Sequence, residues 1–227
     1  MKNRYNLFLL ILLPLILFSS FTEAQIRFKS VNLEGGWYMP SHDYWKESSV
    51  ISQWDNVDDV TSGMFGGLSV DIEPVKPITV RFGINYWTKS LSQQIVTLGI
   101  TRDAELNLQY IPINMDVLAD LILEELDPVV LYGGLGFGLN IINAEYKRTP
   151  EGSATDVFDL NAKDYFGKIT AGLSVPITTQ VGLGVEFRYI FGTYVVETYT
   201  TSGTVADFDS KFSGAQIVGM IKILLGE

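Results

Sequence analysis

The sequence has no cysteine and a single histidine, His42, among its 227 residues. The absence of cysteine excludes disulfides, thiolate metal ligands, a cysteine nucleophile and an acylated lipoprotein cysteine. Charged residues are scarce at 19%, below the roughly one quarter usual in soluble domains, whereas hydrophobic residues reach 47%. After the N-terminal segment, no apolar run approaches the roughly 20 residues that a membrane helix needs. The apolar residues must therefore be spread thinly, as they are when they alternate along strands.

The N-terminus has the layout of a secretory signal. Two basic residues precede an apolar stretch, Leu7–Phe18, which contains Pro14, and small and polar residues then lead to Ala24. This order of charged, apolar and small residues predicts a signal peptide over residues 1–24, cleaved after Ala24, and one domain over residues 25–227. An uncleaved anchor helix is the alternative, and the short, proline-containing apolar stretch argues against it.

The charge balance and the motifs exclude several function classes. The formal net charge is −10, which argues against nucleic acid as a partner. The sequence has no zinc motif, P-loop or nucleophile elbow, so we expect no cofactor and no metal. The glycine-rich stretch Tyr132–Asn140 superficially resembles a phosphate-binding loop, but Leu139 stands where the third glycine of that motif belongs. Leu135, Phe137 and Leu139 alternate with glycines, which predicts a strand instead.

A period of two residues dominates the rest of the chain. In Gln180–Gly192, every odd position is apolar or aromatic, and the even positions hold glycine and charge, with Ile190 as the exception. The same alternation recurs around residues 31–39, 64–73, 78–87, 167–175 and 214–225. These segments, together with the glycine-rich stretch, predict an all-β chain of about eight strands.

One segment, residues 105–128, is ambiguous. Leu106, Leu108 and Tyr110 share a face, but the alternation blurs after Pro112. The part from Asp116 onward fits either a short helix or a strand that changes phase at a bulge at Pro112. We favour the strand, because proline inside a strand commonly marks a bulge or an edge.

The links between strands alternate in length, with three short turns between four long polar links. The long links are Ser41–Ser62, Lys89–Ala104, Lys147–Ala162 and Glu197–Ser210, parts of which could continue as hairpin strands. An even strand count with this alternation predicts an eight-stranded antiparallel up-and-down transmembrane β-barrel, with both termini in the periplasm and four long loops outside.

A soluble ligand-binding barrel would show the same alternation with its apolar face inward, so the content of the polar face decides between the two. Glycine crowds that face, which fits a narrow lumen better than a water-facing surface. Acidic and basic residues share it as a predicted lumen network of paired charges, with an open polar path as the alternative: Glu34, Asp71, Arg81, Lys168, Glu186 and Arg188. Aromatic residues near strand ends predict an interfacial girdle: Trp37, Tyr86, Trp87, Tyr189 and Tyr194.

The signal-like N-terminus, the strands "LYGGLGFGLN" and "VGLGVEFRYIFG", and Ile111-Pro112-Ile113 resemble the small outer-membrane β-barrel proteins of Gram-negative bacteria, broadly similar to the OmpX and OmpW groups. The resemblance implies an outer-membrane location and contact with outer-membrane lipid and with the barrel-assembly machinery. The sequence does not give the oligomeric state, and a monomer is favoured. It implies a structural, surface-interaction or porin-like role, such as passage of a small apolar molecule. Such proteins usually end in an aromatic residue, whereas this sequence ends Leu225-Gly226-Glu227.

Two groups of loop residues suggest other functions. His42 lies beside Asp43, with Ser41, Ser48 and Ser49 nearby, so a lipid-modifying enzyme with a site at the barrel rim is conceivable. Triads are set by geometry and not by neighbouring positions, so we expect a solvated loop histidine, no catalytic residues and no enzyme.

The second group consists of three acidic residues in the first long link, Asp55, Asp58 and Asp59. They could bind a divalent cation, but they lack the spacing and glycine of a calcium loop. We expect a solvated acidic surface there.

Overall fold

The computed structural model describes residues 26–42, 61–97, 100–121, 128–150, 156–199 and 205–225. The predicted signal peptide, most of the first long link and the acidic residues Asp55, Asp58 and Asp59 lie outside these ranges. Within them there is no helix with the length and hydropathy needed to cross a bilayer. The strands are β1 Arg27–Pro40, β2 Gly63–Val75, β3 Ile78–Thr97, β4 Ile100–Leu121, β5 Val130–Pro150, β6 Asp156–Pro176, β7 Val181–Tyr199, β8 Val205–Lys211 and β9 Gly214–Leu224.

The strands form a closed antiparallel barrel. Each of β1 to β6 pairs with the next strand, β6 pairs with β7, and β9 pairs with both β7 and β1. β8 pairs with the outer part of β7 and leads through Phe212 and Ser213 into β9. β8 and β9 together act as one interrupted eighth strand, so the predicted eight-stranded up-and-down barrel is confirmed.

Three of the four predicted long links are mostly strand. β3 and β4 leave only residues 98–99 between them, β5 and β6 leave residues 151–155, and β7 and β8 leave residues 200–204. The expectation of four long loops was therefore wrong for these three links. In the link between β3 and β4, Ser90, Ser92 and Gln94 lie on the exposed outer face of β3, while Leu91 and Ala104 are buried in the interior. The two-residue alternation continues in this link, but apolar residues such as Leu91 now lie on the inner face instead of the outer one.

The segment around Pro112 forms a continuous strand without the predicted bulge. β4 pairs with β5 in a single register from Arg102 to Leu121, which includes Pro112 opposite Asn140. Its register with β3 is the same on both sides of Pro112, with Trp87 opposite Tyr110 and Ile84 opposite Ile113. Proline lacks the N–H that a ladder needs, so it interrupts pairing locally without shifting the strand.

The outer surface of the barrel carries an apolar band near the end that holds the termini. On β7, the outward residues Val181, Leu183, Val185, Phe187, Tyr189 and Phe191 are all exposed. The same pattern covers residues 78–86 of β3, 111–121 of β4, 131–141 of β5 and 215–225 of β9. These segments are about 9 to 11 residues long, the length with which tilted strands cross a hydrocarbon layer.

Above the band, the two faces of the strands exchange their polarity. On β3, outward Tyr86 is followed by outward Thr88 and Ser90, whereas inward Asn85 is followed by buried Trp87. On β4 and β5, the last outward apolar residues are Ile111 and Ile141, which are paired in the ladder. The exchange therefore follows the strand register around this side of the barrel. The lower part has a membrane-type surface, and the upper part has the surface and interior of a soluble β-barrel.

The glycine-rich stretch of β5 brings strand backbones close together inside the barrel. A Cβ atom on Gly134 would lie 2.0 Å from the carbonyl oxygen of Val117 on the neighbouring strand β4. A Cβ atom on Gly136 would lie 1.9 Å from a carboxylate oxygen of Asp116. Gly134 therefore allows the close approach of the β4 backbone, and Gly136 leaves room in the lumen for the Asp116 carboxylate, as small residues do in a narrow barrel.

Candidate functional site

All six predicted lumen residues are buried in the lower part of the interior. Arg81 donates from Nε to Asp71 Oδ1 at 2.6 Å and from Nη1 to Glu186. Arg188 donates from Nε to Glu186 Oε2 at 2.5 Å and from Nη1 to Glu34 Oε2 at 2.7 Å. The two arginines and three carboxylates thus form one continuous chain of ion pairs across the barrel.

Glu186 occupies the centre of this chain. One of its carboxylate oxygens accepts from Arg81 and from the Tyr132 hydroxyl, the latter at 2.6 Å, and the other accepts from Arg188. Its side chain is fully shielded from solvent. Burial of several charges is tolerated only where each has partners of good geometry, and Glu186 supplies that partner to both arginines.

Sequence reasoning missed two members of this network, Asp116 and Lys222. Lys168 Nζ lies 2.8 Å from Asp116 Oδ2, and Lys222 Nζ lies 3.3 Å from Asp71 Oδ2. Asp116 was hidden in the ambiguous part of β4, where an assumed bulge obscured which face it occupies. The unbroken two-residue spacing puts Asp116 on the same face as Leu106 and Tyr110, and the burial of these residues shows that this face is the inner one.

The upper interior is filled by aromatic and aliphatic side chains. Trp87 stacks against Tyr110 with ring centroids 5.0 Å apart, and Phe212 contacts Tyr110 and Tyr194 at 6.2 Å and 6.0 Å. We call this group the aromatic cap; its buried members include Tyr38, Phe65, Trp87, Leu91, Leu106, Leu108, Tyr110, Ile142, Phe166, Ile190, Tyr194 and Phe212. Ile190, the exception on its face in the sequence, belongs to this cap.

Of the five predicted girdle residues, three lie on the outer surface of the barrel and two lie in its interior. Trp37, Tyr86 and Tyr189 point outward and are exposed, near the upper part of the apolar band. Trp87 and Tyr194 are only 2% exposed and belong to the aromatic cap, so their assignment to a girdle was wrong. Both lie on the inner face of their strands, above the point where the polarity of the two faces is exchanged.

His42 is buried, so the expected solvated loop histidine was wrong. Its Nδ1 lies 2.9 Å from the Tyr110 hydroxyl, and its ring lies 5.5 Å from that of Trp87. Its φ of 49° is in the left-handed region and follows the end of β1 at Pro40. Ser41 donates its hydroxyl to the carbonyl of Lys211 at 3.2 Å. This is the environment of a packed histidine in the aromatic cap. Asp43, Ser48 and Ser49 lie outside the described residues.

A thin layer of amides separates the charged network from the aromatic cap. Asn85, Asn140 and Gln216 line a cavity of about 10 Å³ together with cap residues such as Trp87 and Tyr110. That volume accommodates about one water molecule. Within the described ranges, no group of three or more His, Cys, Asp or Glu side chains is arranged so that it could hold a metal ion.

No family model matches the sequence, and no curated protein matches it. Among solved structures, Neisserial surface protein A is similar, with 12% identity and a TM-score of 0.51, over 87% of this chain and 97% of that one. A major outer membrane protein from Thermus thermophilus is also similar, with 15% identity and a TM-score of 0.51, over 86% of this chain and 98% of that one. The protein has the fold of the small outer-membrane β-barrels. At these identities, the likeness concerns the fold of this barrel and leaves its role to be argued from its own residues.

Proposed function

We propose that the protein is an outer-membrane β-barrel with a structural and surface-contact role. The lower part anchors it in lipid through the apolar band, and the upper part carries its strands beyond the membrane. On β3, residues 87–97 continue past Tyr86, which corresponds to roughly 35 Å along the strand direction. The observation that carries the proposal is the exchange of polarity between the faces, since only the lower part has a surface suited to hydrocarbon.

A role in transport has less support. The charged network and the aromatic cap fill the described interior, and the cavity between them holds no more than a water-sized volume. Passage of a small apolar molecule through the wall needs a continuous apolar route. Neither that role nor a rim enzyme at His42 is favoured by a specific feature of the described residues.

Cysteine labelling can test the position of the lipid boundary, because the native chain contains no cysteine. Ile84→Cys and Ser90→Cys are matched variants on the outer face of β3, below and above Tyr86. In lipid vesicles, we expect a membrane-impermeant maleimide to label Ser90→Cys readily and Ile84→Cys very slowly. Both should react fully after unfolding in denaturant. Equally fast labelling of the two folded variants would contradict a lipid anchor at this level.

Measurements of ion conductance in planar lipid bilayers test whether the barrel has an open pore. We expect the inserted protein to give no stable, sizeable open channel, because ion pairs and aromatic rings occupy the path along the barrel axis. Insertion would be verified by the mobility difference between unheated and boiled samples in detergent gels. A long-lived conducting state of the folded barrel would overturn the assignment of the interior as a plug.

A further inference from the structure

Two rows of polar side chains cross the outer surface of β3 to β6. Neighbours within each row lie directly opposite one another in the strand ladders. The first row consists of Thr88, Gln109, Asn143 and Asn161. The second row consists of Ser90, Asn107 and Glu145. We call these seven residues the amide rows. They line a shallow depression of about 300 Å³ on the outside of the barrel.

The amide rows lie directly above the apolar band. Thr88, Gln109 and Asn143 each lie two residues above the last outward apolar residue of their strand, on the same face. Those apolar residues are Tyr86, Ile111 and Ile141. Such a two-residue step is about 7 Å along a strand. If the apolar band lies in hydrocarbon, the amide rows lie in the headgroup layer that adjoins it. This part of the argument rests on the proposed membrane location.

The chemistry of the rows favours an uncharged partner with many hydroxyls. Asn and Gln side chains each offer two N–H donors and a carbonyl acceptor, and Ser and Thr hydroxyls donate and accept. Glu145 is the charged member, and it pairs with Lys147 at 2.6 Å, which also lowers the pKa of its carboxyl. The nearest cation along β6 is Lys163, one step below Asn161. A phosphate-binding surface would be built from arginine and lysine, which are not members of the rows.

We infer that the amide rows bind the saccharide headgroup of a membrane glycolipid. Ring hydroxyls of a sugar match the mixed donors and acceptors of the rows, and the lipid tails would lie against the apolar band below. The occupant is the lipid-borne sugar, because the rows lie at the level of the membrane surface, directly above the apolar band that the lipid tails would cover.

The inference is tested by measuring which lipids remain bound to the purified protein. The protein would be reconstituted in phosphatidylcholine bilayers that contain a minor fraction of digalactosyl diacylglycerol or, separately, of phosphatidylglycerol. Lipids that remain bound after release into mild detergent would be counted by native mass spectrometry. The test variant is the double substitution Gln109→Ala with Asn143→Ala. The matched control is Gln94→Ala, an outward amide further up β3 whose Nε2 donates to Asp103 at 3.1 Å.

We expect the native protein and Gln94→Ala to retain the digalactosyl lipid in excess of its bulk fraction. The double variant should lose about threefold or more of that retention, because two hydrogen-bonding side chains are removed. Free galactobiose added in solution should not displace the lipid. The inference is overturned by equal retention in the double variant, by no excess in the native protein, or by a preference for phosphatidylglycerol. Failure of the barrel to insert would instead count against the proposed membrane function.

Discussion

Replacing Glu186 by Gln is expected to lower the free energy of unfolding by about 3 kcal/mol or more, the cost typical of removing one partner from a buried ion pair. Glutamine keeps the size of the side chain but removes its charge. Arg81 and Arg188 would then face each other across the barrel, each with one carboxylate in place of two. Equilibrium unfolding in guanidinium with detergent micelles, followed by tryptophan fluorescence, measures the change.

Glu145→Gln is the matched control for this experiment. Glu145 also pairs with a cation, Lys147, but on the outer surface, where both side chains are about a third or more exposed. Solvent screens such a pair, so we expect an unfolding midpoint close to that of the native protein. If Glu186→Gln were as mild as Glu145→Gln, the charged network would not be a source of stability for the barrel.

Replacing Leu135 by Arg is expected to cost about 2–4 kcal/mol, the range known for arginine or lysine on the lipid face near the bilayer midplane. Leu135 is 66% exposed, lies near the middle of the apolar band on β5, and is paired with Val117 and Ile169. An arginine there would have to reach the membrane surface past apolar neighbours. Unfolding in urea with lipid vesicles measures the loss.

Asn143→Arg serves as the control, since it lies on the same strand and the same face but above the band. We expect it to leave the unfolding free energy nearly unchanged, because the new charge remains in a hydrated layer. A similar loss for both arginine variants would show that the cost does not depend on membrane depth, and the apolar band would then not be the lipid anchor.

The sequence predicts the barrel well because two-residue alternation is clear in the lower part of most strands, and each predicted lumen charge lies on the polar face of such a segment. It predicts the upper part less well. The polar residues of the link Lys89–Ala104 look like a loop, and Trp87 looks like part of a girdle, because both interpretations assume that polar residues face inward all along a strand. Above Tyr86 that assumption fails. Leu106 and Leu108, which share a face with Tyr110 in the sequence, also lie above this level and are buried.

His42 could not be placed from sequence for a different reason. Its burial depends on contacts with Trp87 and Tyr110, which come from two other strands. Its backbone also adopts a φ that no local pattern indicates. The two missed charges were missed for different reasons. Asp116 lies in the ambiguous part of β4, whereas Lys222 lies in a clearly alternating segment, and only its distance to Asp71 shows that it joins the network.

The aligned exchange of polarity on β3, β4 and β5 also helps these strands to find their correct partners. In a uniformly alternating strand, a slip by one residue reverses the faces and is strongly disfavoured, but a slip by two keeps the alternation intact. Here, a slip by two residues would move Gln109 to the level of Tyr86, about 7 Å from its proper place, and would put an amide against hydrocarbon. The position of the polarity exchange on each of these strands therefore fixes the level at which it pairs. It disfavours slips by two residues, which alternation alone would permit.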